Sequence, residues 1–318
     1  MDTIPGFILK NKRLIQILIG IIIILLIFTK IDFFQTIKIM FSVNPIYLFI
    51  SILLYVILNL SHAIRLKISL KSLNHDISLK DAFRAQICGM LIGDITPGRI
   101  GYFSCAYPLK KRNKIPISDT MSAVTIYQSI EFILKAIQGG IGVIFLIYLI
   151  GLSQKIVYLS IIALGFASFC GIVLLIISTN RKFMKALNVI KRFKIGEQIL
   201  NFFYRFQDGS RGVKKGSFIP IFFLTFIGWF FRATEWFFLA KAIGINLPWL
   251  ICLFLHPVLS AVEFVPFSPA GFGFYEGSIV IVFSSLLSIS PASALAFTLL
   301  DRINNMFINL FAIKEVFE

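Results

Sequence analysis

A short phrase occurs twice in this chain. The first copy is Thr96-Pro97-Gly98-Arg99-Ile100-Gly101-Tyr102-Phe103 and the second is Ser268-Pro269-Ala270-Gly271-Phe272-Gly273-Phe274-Tyr275. Position by position both read hydroxyl, Pro, small, variable, apolar, Gly, aromatic, aromatic. Pro and Gly here interrupt long apolar sequence. Backbone broken at membrane depth must be buried in protein or line a cavity, because lipid offers its N–H and C=O groups no partner. Two such breaks at corresponding places of two halves point to the binding site of a transporter.

The apolar sequence around the phrases makes the membrane reading compelling. The 318 residues are 58% hydrophobic and only 14% charged, and the mean hydropathy is +0.88. Leu14–Phe28, Pro45–Leu60, Val157–Ile177 and Phe218–Ala240 are each long enough, or nearly so, to cross a hydrocarbon core of about 30 Å. The expected fold is an all-α polytopic membrane protein of about six to eight spanning helices. The net charge of +16 sits in the segments between spans. It reads as the excess of cytoplasmic Lys and Arg, with attraction to anionic lipid, and not as a nucleic-acid surface. Cys88, Cys105, Cys170 and Cys252 are scattered through apolar sequence. They form no disulfide framework or zinc pattern and read as small buried hydrophobes.

Along the chain, Lys10, Lys12 and Arg13 precede a first helix at Leu9–Phe28 that lacks a small-residue cleavage site. Its N-terminus is expected in the cytoplasm, and residues 9–44 cover this helix and an outside turn. Helix Pro45–Leu70 follows. Ala82–Ala106 is flanked by basic clusters on both sides, Lys67, Lys71, Lys80 and Arg84 before it and Lys110, Lys111, Arg112 and Lys114 after it. It therefore enters and leaves on one side, as a re-entrant hairpin open to the cytoplasm. Helices at Ile117–Leu149 and up to Ile177 complete a first half, 45–178. Residues 179–217 are strongly basic, with apolar residues at helical spacing, which predicts cytoplasmic amphipathic helices on the membrane surface. The second half, 218–318, repeats the first: Phe218–Ala242, Leu250–Val265, the second phrase, Ile279–Leu287 and Ala292–Ala312. Entering from the opposite side, it would make an inverted repeat with the two breaks face to face. Lys314 is offset by Glu315 and Glu318, which leaves the side of the C-terminus open.

Several charges lie inside this apolar frame. Arg99 presents a planar fork suited to a lipid head-group phosphate, and a helix N-terminus beside the break would add backbone donors. The plainer reading is an arginine snorkelling at the cytoplasmic rim. Glu263 and Glu276 flank the second phrase; they are candidates to pair with Arg, to bind a head-group amine or to carry a proton, and a structural ion pair weighs equally. His256 shares a helical face with Glu263, and a satisfied core histidine is favoured over a proton relay. Glu131 and Lys135, and Arg232 and Glu235, have the spacing of helical ion pairs. Aligning the phrases brings Asp301 and Arg302 close to the position of Glu131, which suggests charges at the repeat interface. Asp94 and Arg65 lie near the cytoplasmic end and tell less. The expected substrate-binding set is Thr96, Pro97, Gly98, Arg99, Gly101, Glu131, Glu263, Ser268, Pro269, Gly271, Gly273, Glu276, Asp301 and Arg302. No cofactor, metal site, P-loop or nucleophilic triad is expected from the motifs.

Thr96-Pro97-Gly98-Arg99-Ile100-Gly101 with Leu109-Lys110-Lys111-Arg112, Ser268-Pro269-Ala270-Gly271-Phe272-Gly273 with Glu276-Gly277, and Leu300-Asp301-Arg302 together resemble the motifs of the lysylphosphatidylglycerol synthase transmembrane, or flippase-like, family. The resemblance runs from about residue 10 to 314. Tyr102 stands where the family often has Glu, Phe132 where Arg usually follows the helical Glu, and Tyr275 where Arg precedes Glu276. The resemblance implies a membrane domain that moves phospholipids or polyprenyl-linked lipids between leaflets of the cell membrane. Members fused to a cytosolic aminoacyl-transferase domain make lysyl-phosphatidylglycerol; a stand-alone chain is expected not to be an enzyme of that kind. The alternatives are a membrane-embedded transferase or accessory subunit in glycolipid assembly, and an ion- or solute-coupled secondary transporter. Expected partners are anionic or phosphate-bearing membrane lipids, with a homodimer or a lipid-modifying enzyme as further partners.

Overall fold

The computed structural model describes residues 29, 31–151, 154–180, 196–264, 268–269 and 271–317. The first helix expected at Leu9–Phe28, with its cytoplasmic N-terminus, lies outside these residues, as do 181–195 of the basic stretch. Among the described residues the protein is all helical. Four helices are long and apolar enough to cross a membrane, spanning Pro45–Ser72, Ile117–Leu149, Val157–Ser178 and Lys215–Ala242. This is a multi-pass integral membrane protein.

The helices follow in order: α1 Phe33–Phe41, α2 Pro45–Ser72, α3 Leu79–Asp94, α4 Ala106–Asn113, α5 Ile117–Ile150, α6 Gln154–Thr179, α7 Gly196–Gly212, α8 Phe218–Ala242, α9 Trp249–Ser260, α10 Phe274–Leu286, α11 Pro291–Asn309 and α12 Ile313–Phe317. Local chemistry sets their ends. Asn44 caps α2 by accepting from the backbone of Ile46 and Tyr47, and Pro45 occupies the first turn, where no N–H is missed. Ser78 caps α3 by accepting from Asp81 N, and its hydroxyl donates to the Asp81 carboxylate, which holds that acid below its usual range.

The two halves end their helices alike. After α2, His75 N reaches back to Leu70 O at 3.0 Å and Asn74 takes the left-handed conformation, φ 65°. After α8, Ile245 N reaches Ala240 O at 2.9 Å and Gly244 takes φ 76°. Lys114 before α5 and Ser288 before α11 match in the same way, at φ 57° and 54°. The matching helices α2 and α8 run antiparallel. Asn44 N donates to Ala242 O at 2.8 Å, Ser61 Oγ to Leu224 O at 3.3 Å and Arg65 Nη1 to Thr225 Oγ1 at 2.9 Å. The start of α2 lies beside the end of α8 and its later part beside the start of α8, so these corresponding helices run in opposite directions, as an inverted repeat requires. Two main apolar clusters form: one gathers Leu66, Leu70, Tyr102 and Tyr127 with Ile221 from the second half, the other Trp236, Phe283 and Phe297 with Leu146 from the first.

The first phrase is the tip of a hairpin. Helix α3 descends, the chain turns at Thr96–Arg99, and a 3-10 segment, Ile100–Cys105, returns beside it. The arms lie so close that a Cβ on Gly89 would stand 2.7 Å from Tyr102 O, and one on Gly101 would run into Ile92 O. The second break follows α9 and a 3-10 turn, Ala261–Phe264. The two tips meet, their backbones pairing antiparallel at Pro97 and Pro269.

The described part of the basic stretch, α7, is anchored to the bundle through its second half. Phe206 is buried, Ser122 Oγ donates to Phe206 O at 2.7 Å, and Gln207 Nε2 donates to Ile177 O at 2.8 Å. The helix packs on α5 and α6, and Gln207 gives the Ile177 carbonyl, in the last turn of α6, a partner that the helix end lacks. Lipid meets exposed stripes such as Ile137, Ile141, Ile144 and Tyr148 on α5.

Gly271 has φ 68°, and a Cβ there would lie 2.8 Å from Glu263 Cα, whereas one on Gly140 meets nothing within 4 Å. Gly271→Ala is therefore expected to lower the thermal midpoint of the detergent-solubilised protein, at a cost of at least about 1–2 kcal/mol. Gly140→Ala, inside a helix, is expected to raise it or leave it unchanged.

Candidate functional site

The touching tips need charge to hold them in an apolar surround. Arg99, at φ 55°, supplies it. Its Nη2 donates to Asp94 Oδ1 at 2.6 Å and its Nη1 to Glu263 Oε2 at 2.7 Å. Arg99 thus links its own loop to the opposite half. Asn309 Nδ2 donates to the other Asp94 oxygen at 2.8 Å, and Tyr55 OH donates to Asn309 Oδ1 at 3.3 Å. The expected backbone donors beside Arg99 are already used: Gly101 N donates to Thr96 Oγ1, and Tyr102 N to Arg99 O. The 3-10 turn consumes those N–H groups to stabilise the break itself.

Beside this clamp lies a cavity of about 340 Å³ whose lining includes Arg65, Arg99, Glu131, Lys135, Arg232 and Glu263. That is within the range of small-molecule sites, about 300–1,000 Å³. Gln128, Glu131, Lys135 and Gln138 form one polar face of α5 along it, a face no lipid-exposed helix would carry. Phe103, Phe132, Phe264 and Trp229 form apolar walls. His62 and His256 also face the cavity.

Each charge that lines the cavity has a partner of opposite sign, with one exception. Glu131 pairs with Arg65 of α2 at 2.9 Å and not with Lys135. Lys135 stands 4.5 Å over the Phe264 ring, and among the described residues no carboxylate lies within salt-bridge distance of it. Gln138, also buried, leaves its Nε2 without a partner. Arg232 contacts Glu235, reaches Asp301 Oδ2 at 3.1 Å, and donates from Nε to His256 Nε2 at 3.1 Å. Architecturally this repeats the first half, where α2 is tied to α5 by Arg65–Glu131 as α8 is tied to α11 by Arg232–Asp301.

The sequence-derived set divides accordingly. Gly98, Arg99, Glu131 and Glu263 line the cavity. Thr96, Pro97, Gly101, Ser268, Pro269, Gly271 and Gly273 shape the breaks; Ser268 Oγ donates to Phe272 O at 2.8 Å, for example. Glu276 and Arg302 do not join the cavity. Glu276 is fully buried against Arg302, and its second oxygen accepts from Gly273 N at 2.6 Å, capping α10. Asp301 reaches the cavity wall only through Arg232. Sequence reasoning undervalued Arg65, Asp94 and Lys135. The signal for Arg65 was available: an arginine within the apolar run of a spanning helix, here fully buried. The four cysteines are unpaired, three of them buried.

Residues 13–312 match the model of the lysylphosphatidylglycerol synthase TM region. The chain belongs to this family. It is 24% identical over 316 residues to a UPF0104 membrane protein of Methanocaldococcus jannaschii, covering 92% of this chain and 90% of that protein. It is 21% identical over 313 residues to a UPF0104 membrane protein of Methanothermobacter thermautotrophicus, covering 93% and 91%. The family is named for the membrane part of a lipid-synthesising enzyme, which places the chain coarsely in lipid biosynthesis or lipid movement.

Within this family member, the three residues that depart from the motif are put to use. Tyr102 OH donates to Gln86 Oε1 at 2.7 Å. Tyr275 OH donates to Asp301 Oδ2 at 3.0 Å, supplying a hydrogen bond to the acid without a charge. Phe132 packs edge-on against Phe264 with centroids 4.6 Å apart, where an arginine would crowd Lys135.

Arg65→Met strands Glu131 and is expected to cost about 3–5 kcal/mol in denaturant unfolding of the solubilised protein. Combining it with Glu131→Leu is expected to recover most of that loss, because no unpaired charge then remains.

Proposed function

We propose that this chain carries the head group of an anionic, phosphate-bearing lipid between the leaflets of the cell membrane. The N-terminus would lie in the cytoplasm and the acyl chains would remain in the bilayer. One observation carries the reading: a cavity lined by charges, at the junction of two broken, oppositely oriented segments, holds Lys135 without a carboxylate partner. A charged head group crossing hydrocarbon unaided loses its hydration at a cost of several kcal/mol or more. A fixed cation and the buried amide of Gln138 in a preformed cavity offset that loss. The apolar walls suit the adjoining glycerol and first methylenes. The role requires no bond-making step, so the chain would act as a transporter and not as an enzyme.

In this reading Lys135 and Gln138 receive the phosphate. Arg99 joins them when its hold on Glu263 opens, so the clamp between the two tips doubles as the gate. Thr96, Pro97, Gly98 and Gly101 below, with Ser268, Pro269, Gly271 and Gly273 above, keep the broken backbone rigid around the passage. Glu276, Arg302 and Asp301 hold α10 against α11.

The test is head-group translocation in proteoliposomes with labelled phosphatidylglycerol and phosphatidylethanolamine. Protein-dependent movement of phosphatidylglycerol is expected. Lys135→Met and Arg99→Ala are each expected to slow it at least tenfold, or about 1.4 kcal/mol in the barrier. Ile144→Ala, on the lipid-facing stripe, is expected to leave it unchanged. Absence of movement of either lipid by the unaltered protein would sink the reading.

A further inference from the structure

Arg232 holds two carboxylates at once. Glu235 and Asp301 both lie on it, and both are almost fully buried. Among the described residues no other cation stands within salt-bridge distance of either acid. Around the cavity, Asp94, Glu131, Glu235, Glu263 and Asp301 face Arg65, Arg99, Lys135 and Arg232. Glu276 and Arg302 cancel each other separately. With every acid ionised, one buried negative charge is in excess. Such a charge costs several kcal/mol away from water, and a carboxyl group so placed takes up a proton instead.

The hydrogen bonds locate the proton. Asp301 Oδ2 accepts from Tyr275 OH and from Arg232, but Asp301 Oδ1 is buried and has no donor. Glu235 has both oxygens served, one by Arg232 and one by Asn304 Nδ2 at 3.3 Å. His256 Nε2 accepts from Arg232, so that nitrogen carries no proton and the imidazole is neutral. Two further charges reach Asp301 through space, Arg302, which is already paired with Glu276, and the opposing carboxylate of Glu263. Helix α2 brings Tyr55, whose ring lies under Arg232 at 5.8 Å, and Ser51, which accepts from Asn304. The α1 side meets α11 through Ile31, at Ala292 and Leu295.

We propose that Asp301, together with Glu235 over the shared Arg232, is an exchangeable proton site, and that its proton is bound together with the anionic head group. The first half of this stands on the charge count; the second rests on the function proposed above. Arg232 and His256 line the same cavity as Lys135. With the proton on Asp301 Oδ1, Arg232 balances Glu235 alone and the excess negative charge is removed, so an anionic head group meets one opposing charge fewer. When the O–H bond breaks and the proton passes to water, Asp301 regains its charge, competes for Arg232 and repels the phosphate. One proton and one negative charge then travel together. The head group is driven by the proton gradient, with no net charge crossing.

Two measurements separate this proposal from the function on which its second half rests. Infrared spectroscopy of the full chain in nanodiscs is expected to show a protonated-carboxyl band at neutral pH. Both Asp301→Asn and Glu235→Gln should remove it, since either change leaves Arg232 with a single carboxylate. No such band overturns the proposal, whatever the protein transports. Binding of dihexanoyl phosphatidylglycerol, whose phosphodiester keeps a single charge, is expected to weaken as pH rises, by up to about tenfold per unit. Asp301→Asn should remove that dependence. Equal affinity at acid and alkaline pH overturns the coupling. A protein that shows the band yet neither binds nor moves phosphatidylglycerol overturns the head-group reading and the coupling, and upholds the proton site.

Discussion

The Arg99 guanidinium, divided between Asp94 and Glu263, is the contact on which the architecture turns. Each half contributes a backbone break that lipid cannot satisfy. The breaks survive because they cover one another at Pro97 and Pro269, and Arg99 closes the contact from the side. Asp94 passes the connection on to Asn309 and Tyr55, so the clamp touches α3, the second break, α11 and α2. A neutral residue at 99 would leave two buried carboxylates facing each other, which is why a cation must stand there for folding before any question of substrate arises.

The same economy of charge shapes the rest of the interior. In hydrocarbon a lone ion is intolerable, so nearly every buried charge is tied to another helix: Arg65 to Glu131, Arg232 to Asp301, Arg302 to Glu276. These pairs specify which helices meet more than they add to stability, because desolvation offsets much of their attraction. Departures from one-to-one pairing are therefore informative. Lys135 has a cation's charge and no acid, whereas Arg99 and Arg232 each have two. All three flank one cavity, and both functional proposals grow from them.

Three members of the expected site, Glu276, Arg302 and Asp301, do not line the cavity. Glu276 caps α10 and holds Arg302, and Asp301 stands behind Arg232 and not in the cavity wall. Replacement of charged family positions by Tyr102, Phe132 and Tyr275 did not leave holes. The tyrosines keep a hydrogen-bond donor at two of them, and the phenylalanine closes an aromatic wall beneath Lys135.

The sequence by itself determined the membrane class, the positions of most helices, and the two breaks with their Pro, Gly and hydroxyl chemistry. Those properties are local: apolar length sets a span, Asn44 or Ser78 sets a cap, and Gly271 sets a left-handed turn. Even the matched left-handed residues Asn74 and Gly244 close their helices through bonds to residues only a few positions back. Tertiary structure alone decided which charges meet. The i, i+4 spacing allowed Glu131 to pair with Lys135, but Arg65, brought in by the antiparallel packing of α2, takes the carboxylate and leaves Lys135 to the cavity. Helix spacing lists the partners a side chain has on its own helix; which partner wins depends on the neighbour that packing delivers, and that neighbour is far away in the sequence.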